Sequence, residues 1–176
     1  MRPHPLSLIT PPACRIGGLA WIPNERGEVL TVRANYGAKK GFHQLPGGHA
    51  GEHQSNLAAM VTHVRRETGI DPGPVRLLGT DWVPHNADVP AAMGQNFIYL
   101  CDDIPAGTNI VLPSAADDEE PQLSGHLWQT PETARGTMRA YQLRRFLGLW
   151  NAWQDNTTAT LHSGHPVLPT SAGETS

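Results

Sequence analysis

The sequence predicts an α+β protein, an α/β/α sandwich in which a mixed β-sheet lies between helices. Three observations carry that expectation. Strand-like and helix-like stretches follow one another in the order β-β-α-β-β-β-α, which calls for a sheet with helices packed on it. The 176 residues suffice for one domain that buries roughly 70% of its unfolded surface. The 18 glycines and 16 prolines call for many turns and long loops, which excludes a helical bundle.

The elements can be justified in order. Residues 1–14 carry Pro3, Pro5, Pro11 and Pro12 and read as an irregular segment. Arg15 to Ile22 is apolar and ends at Pro23-Asn24-Glu25-Arg26-Gly27, a strong turn signal. Glu28 to Tyr36 alternates in character, so the two stretches predict a β-hairpin. A Gly-rich segment, Gly37 to Gly51, follows. Ser55 to Thr68 predicts a helix whose core stripe is Leu57, Val61, Val64 and Thr68. Gly69 stops it, with Ile70 and Pro72 beyond, as a C-terminal cap requires. Val75 to Pro84 and Gln95 to Cys101 predict two strands around a loop at Asn86 to Gly94. Gly107 to Gln122 is a polar loop and Gly125 to Gln129 a short strand. Pro131 opens a helical stretch at an early position. Met138 to Trp153 is a helix with an apolar face of Tyr141, Phe146, Leu149, Trp150 and Trp153. The domain is thus expected over 15–155, with 156–176 a disordered Thr/Ser/Gly/Pro-rich tail in which His162 and His165 are solvated.

Composition narrows the function. Thirteen Lys and Arg against 16 Asp and Glu give a charge of −3, which excludes a strong general attraction to nucleic acid. No stretch approaches the ~20 apolar residues of a membrane span. Leu6-Ser7-Leu8-Ile9 is too short for a signal segment. Cys14 and Cys101 are too few for a disulfide framework or a thiolate metal site. A cytoplasmic location is the expectation, with neither nucleic acid nor membrane as partner.

The chemistry concentrates in Leu45-Pro46-Gly47-Gly48 and the helix that ends Arg66-Glu67-Thr68-Gly69-Ile70. A Gly-rich loop that feeds a helix lets backbone N–H groups approach an anion. His63 and Glu67, four residues apart, project from one helix face and can hold one divalent metal.

This segment resembles a Nudix box, G-x5-E-x7-R-E-U-x-E-E-x-G-U with U aliphatic. The opening Gly falls on Gly48 and the first Glu on Gln54. The Arg-Glu pair falls on Thr62 and His63, the aliphatic position on Val64, the Glu-Glu pair on Arg66 and Glu67, and the closing pair on Gly69 and Ile70. The spacing fits without a gap, and the strand order agrees with the Nudix fold over roughly residues 15 to 155. Leu127-Trp128-Gln129-Thr130-Pro131-Glu132 is similar to a late strand-to-helix step of many members.

The resemblance implies a hydrolase that cleaves a phosphoanhydride in a nucleoside diphosphate linked to another group. It implies Mg2+ or Mn2+ on the helix carboxylates, a nucleotide-like phosphorylated small molecule as partner, and often a homodimer. Yet the box is degenerate. Of its three helix carboxylates only Glu67 remains; His63 as a ligand brings in Zn2+ or another transition metal. Arg66 stands where the family has a ligand, and a cation there repels a metal and can clamp a phosphate instead. Gln54 and Thr62 replace an ion pair together, so no charge is orphaned.

The candidate site therefore comprises Glu67 and His63 as metal ligands and catalytic groups, and Gly47, Gly48, His49 and Arg66 as substrate contacts. Asp117-Asp118-Glu119-Glu120 offers a loop carboxylate, Glu120, as general base. His43, His49, His53 and His63 cluster around the loop and read either as solvated side chains or as a metal or acid/base set. Lys39, Lys40 and Phe42 can rim the pocket, while the basic pairs Arg65-Arg66 and Arg144-Arg145 read as a solvated helix face or, through the bidentate fork of Arg, as a hold for phosphate. Three functions stay open: a hydrolase, a nucleotide-binding sensor that does not cleave, and an enzyme of specialised metabolism with altered chemistry on the same scaffold.

Overall fold

The structure is a computed structural model that describes residues 13–85, 91–114 and 121–167. In chain order its elements are β1 (Cys14–Trp21), β2 (Val29–Ala34), a 3-10 turn at Gly37–Lys39, β3 (His43–Gln44), β4 (Gly47–His49), α1 (Asn56–Thr68), β5 (Val75–Val83), β6 (Met93–Cys101), β7 (Leu123–Gln129), α2 (Pro131–Ala134), α3 (Ala140–Gln154), β8 (Ala159–His162) and β9 (His165–Pro166). They form one mixed sheet in the order β4-β1-β6-β5-β8-β9 and a second, antiparallel one in the order β3-β2-β7.

The period of two along β1 sorts the core. Leu19 and Trp21 face the side on which α3 packs, where Phe146 and Leu149 are fully buried. Ala20 and the following Ile22 face the other side, against Met60 and Val64 of α1. The expected α/β/α sandwich is therefore the observed one. Trp21 anchors α3 through ring contacts with Phe146 at 4.9 Å and Trp153 at 5.9 Å. Helix α1 lies close on β1 because Gly18 has no side chain; a Cβ there would sit 2.0 Å from the Asn56 carbonyl oxygen. Ser55 caps α1, its Oγ accepting from the Ala58 N–H at 3.1 Å, and Gly69 ends it in the left-handed region at φ 71°. Pro131 is the first residue of α2, capped by Thr130.

Four expectations need correction. The turn after β1 forms, with Asn24 Oδ1 accepting from the N–H groups of Arg26 and Glu28, and Leu30 N–H reaches the Ile22 carbonyl. But no hairpin extends from it. Both edges of β1 are taken by β4 and β6, and both edges of β2 by β3 and β7, so the strands part into separate sheets. A local turn signal does not reveal which distant strands claim an edge.

Second, the buried face of α1 is Ala59, Met60, Val64, Glu67 and Thr68, while Leu57 is exposed. Val64 and Thr68 of the expected stripe are buried and Val61 packs against the core, so Leu57 alone departs from it, while Glu67 joins the buried face and accepts from the Gly47 N–H. Third, residues 156–167 are not a loose tail. β8 runs parallel to β5, Leu161 is buried in the core, and β9 closes a tight turn at Ser163-Gly164. Sparse apolar content hid a strand that needs only one core residue. Fourth, the Gly-rich segment contains two short strands, β3 and β4.

Candidate functional site

Two glycines make room for the site. Gly47 has φ 129°, and a Cβ there would lie 2.3 Å from the Gly18 carbonyl oxygen. Gly48 faces the His63 ring, which a Cβ would meet at 2.3 to 2.5 Å. Helix α1 can therefore lay His63 directly on the β4 backbone.

Beneath that ring lies Glu67, buried on the inner face of α1. Its Oε2 accepts from the Gly47 N–H at 2.9 Å. Its Oε1 is 3.5 Å from His63 Nδ1 and 3.7 Å from Arg66 Nη2. Arg66 Nη2 is 2.7 Å from His63 Nδ1, and His63 Nε2 is 3.2 Å from the His49 carbonyl oxygen. A guanidinium only donates, so Nδ1 accepts and the ring proton resides on Nε2, which donates to His49. Burial raises the Glu67 carboxyl above its ordinary value, and the Gly47 N–H, His63 and Arg66 oppose that rise.

Glu67 lies at one end of a cleft of about 390 Å³. Arg15, Lys39, His49, His63, Arg66 and Arg145 line it, with Tyr36, Gln44, Asn96, Tyr141 and Gln142 among the neutral groups. Arg15 Nη1 is 3.3 Å from His49 Nε2. Burial first, then Arg145 and Arg15, lower the Lys39 ammonium from its ordinary value, while Glu67 opposes. Burial, then Arg15, Lys39 and His63, lower His49. Arg15, Lys39, His49 and Arg145 thus line one cleft within electrostatic reach of one another.

Arg145 is held from behind. Its Nε donates to Asp81 Oδ2 at 2.7 Å, and Asp81, fully buried in β5, also accepts from Tyr141 Oη at 2.8 Å and Gly164 N–H at 3.0 Å. The guanidinium lies 4.6 Å from the Tyr141 ring centre. Among the described residues this Nε bond is its one side-chain hydrogen bond, and Arg145 also lines the cleft. The sequence reading of Arg145 as a solvated face is overturned. The signal was Asp81 itself, a carboxylate in a strand among Leu77, Leu78, Trp82 and Val83, which needs a partner once it is buried.

The structure brings together Gly47, Gly48, His49, His63, Arg66 and Glu67, as expected, but divides the histidine cluster. His43 is buried in β3 with its Nδ1 3.1 Å from Thr31 Oγ1, and it is a satisfied core histidine. His53 is exposed. Gly47 turns its N–H to Glu67, so it positions the carboxylate rather than a ligand. Gln54 Nε2 stands 3.5 Å from Thr62 Oγ1, so the two uncharged box positions still meet. Glu120 lies outside the described residues.

Among the described residues the donor set does not fit a hard divalent cation. Such an ion takes several oxygen ligands, and Glu67 is the one carboxylate among the described residues that line the cleft. Among the described residues no group of three His, Cys, Asp or Glu side chains is placed to hold a metal. His63 Nδ1 already takes an N–H from Arg66, whose positive charge stands beside Glu67.

Comparison with known proteins agrees with the box. The family model described as the NUDIX domain matches residues 15–147. The 8-oxo-dGDP phosphatase NUDT18 of Danio rerio is 34% identical over 120 residues, 65% of this chain and 32% of that protein. This chain thus spans about a third of the length of that relative. Among solved structures, the MutT protein of Methanosarcina mazei Go1 superposes with a TM-score of 0.64 at 22% identity, covering 84% of this chain and 98% of that one. The NUDIX domain of Shewanella oneidensis NrtR, complexed with ADP ribose, gives 0.60 at 14% identity over 88% and 94%. At these identities the structures speak for the fold alone.

Proposed function

The chain belongs to the NUDIX domain family, and from that premise we propose that it takes a nucleotide-like molecule with a phosphoanhydride into this cleft and cleaves it with water. The observation that carries the reading is that, among the described residues lining the cleft, Glu67 is the single carboxylate, buried, and the other charged walls are cationic. Cations hold the phosphates, and Arg suits them through its bidentate fork. Burial makes Glu67 a better proton acceptor than an exposed carboxylate. Water then attacks one phosphorus as its proton passes to Glu67. The bridging P–O bond breaks, the leaving phosphate departs with the bond's electron pair, and Arg66 stabilises the added negative charge.

A second reading, retention without cleavage, has one observation in its favour. Arg66 and His63 both stand at the Oε1 side of Glu67, where water would have to be activated.

The test is a panel that includes 8-oxo-dGDP and ADP-ribose, the molecules named for relatives of this chain. Binding is followed by calorimetry and products by chromatography, with Mg2+, Mn2+ or EDTA. The expected result is binding with product formation that falls at least about a hundredfold in Glu67→Gln. Binding without product under any condition establishes the second reading, and no binding at all overturns both.

A further inference from the structure

We infer that this cleft neutralises a diphosphate with the protein's own cations, Arg15, Lys39, Arg66 and Arg145, and not with a divalent metal on helix α1. The inference rests on the reading that the cleft takes a diphosphate. It is carried by two independent features at opposite ends of the cavity.

At the α1 end, the groups that would hold a metal are committed to one another. Glu67 Oε2 holds the Gly47 N–H, and His63 Nδ1 holds Arg66. The Arg66 guanidinium stands 3.7 Å from Glu67 Oε1, so an incoming divalent ion meets a positive charge at contact range. A diphosphate meets the same charge as an attraction.

At the α3 end, Arg145 is 11% exposed, and Asp81 fixes it through Nε alone. Among the described residues neither Nη group of Arg145 has a hydrogen-bond partner, and Arg145 lines the cleft, so its guanidinium can still donate to an anion there. Lys39 lines the same cleft, within electrostatic reach of Arg145, Arg15 and Glu67. Cations that share one cleft repel one another, and a multiply charged anion relieves that repulsion.

The experiment uses the full chain with inorganic pyrophosphate as probe. Calorimetry is run in EDTA and with Mn2+, and free Mn2+ is read by electron paramagnetic resonance. The expected result is pyrophosphate binding in EDTA, no bound Mn2+ without ligand, and affinity about tenfold or more weaker in Arg66→Gln and in Lys39→Met. Arg66→Glu should reverse the preference, gaining a Mn2+ site and losing binding in EDTA. Arg66 is half exposed, so these variants should fold, and circular dichroism checks it.

Stoichiometric Mn2+ uptake by the unsubstituted chain, or pyrophosphate binding that requires Mn2+, overturns the inference and leaves the proposed function standing. No pyrophosphate binding with or without Mn2+ overturns both.

Discussion

The two ends of the cleft each set one carboxylate against one arginine, and they do so in opposite ways. Asp81 and Arg145 meet at 2.7 Å, with Tyr141 and Gly164 completing the carboxylate's partners. Glu67 and Arg66 are 3.7 Å apart, Arg66 is 54% exposed, and one edge of Glu67 faces only His63 and Arg66. The first pair is closed and fixes geometry. The second is loose and has capacity to spare. A buried ion pair with every partner supplied is an anchor, whereas one with an unfilled coordination is where chemistry or a ligand can enter.

Breaking the closed pair should have the largest effect. Asp81→Asn leaves Arg145 buried without its counter-charge and is expected to cost about 3–5 kcal/mol in urea unfolding. The double variant Asp81→Asn with Arg145→Met should recover much of that stability, because no buried charge is then orphaned. Its pyrophosphate affinity should remain lost. If the double variant stays as unstable as the single one, the pair is not the anchor described here.

The open end should be more tolerant. Gly48→Ala pushes against the His63 ring and is expected to cost about 1–3 kcal/mol. His63→Ala made in the same chain should remove most of that cost, since the clash is with a side chain rather than with backbone. A double-mutant cycle reads the coupling directly. No coupling would mean that His63 does not lie on β4 in solution.

The same contrast explains what the sequence could disclose. The gapless box spacing, the Ser55 and Gly69 caps of α1 and the apolar face of α3 are local patterns, and each was legible. Gly48, His63, Arg66 and Glu67 followed from the box as one unit. What escaped was everything set by distant pairing. Arg145 sits on α3, but its role depends on Asp81, 64 positions earlier in β5. The place of Glu67 on the buried face of α1 depends on the Gly47 amide, 20 positions from Glu67. Residues 159–162 became a strand because β5 offered an edge, not because their composition demanded it.

Acid should separate the core histidine His43 and the cleft histidine His49 from Glu67 by sign. Burial lowers His43 and His49 from 6.5. Below 6.5 the unfolded chain then binds more protons than the folded one, so stability falls as the pH drops through that value. Burial raises Glu67 from 4.5. Between 4.5 and its folded value the folded state holds the extra proton, so this contribution falls as pH rises through that window and is constant above it. Urea midpoints across pH should show Glu67→Gln gaining on the unsubstituted protein as pH rises from 4.5. A difference that runs the other way would mean that the Gly47 N–H, His63 and Arg66 together outweigh burial at Glu67.

His53 supplies the smallest effect and the control for the comparison. Four residues along the chain from His49, it has a side chain 91% exposed and touches no wall of the cleft. Its φ of 59° lies in the left-handed region, where Asn is well tolerated. His53→Asn should therefore leave stability within about 0.5 kcal/mol and pyrophosphate affinity within about twofold. His49→Gln should weaken pyrophosphate binding by more than that, because its ring lies against Arg15 in the cleft wall. Equal losses in the two variants would show that the loop before α1 acts as a whole, and that the cleft boundary does not fall between these two histidines.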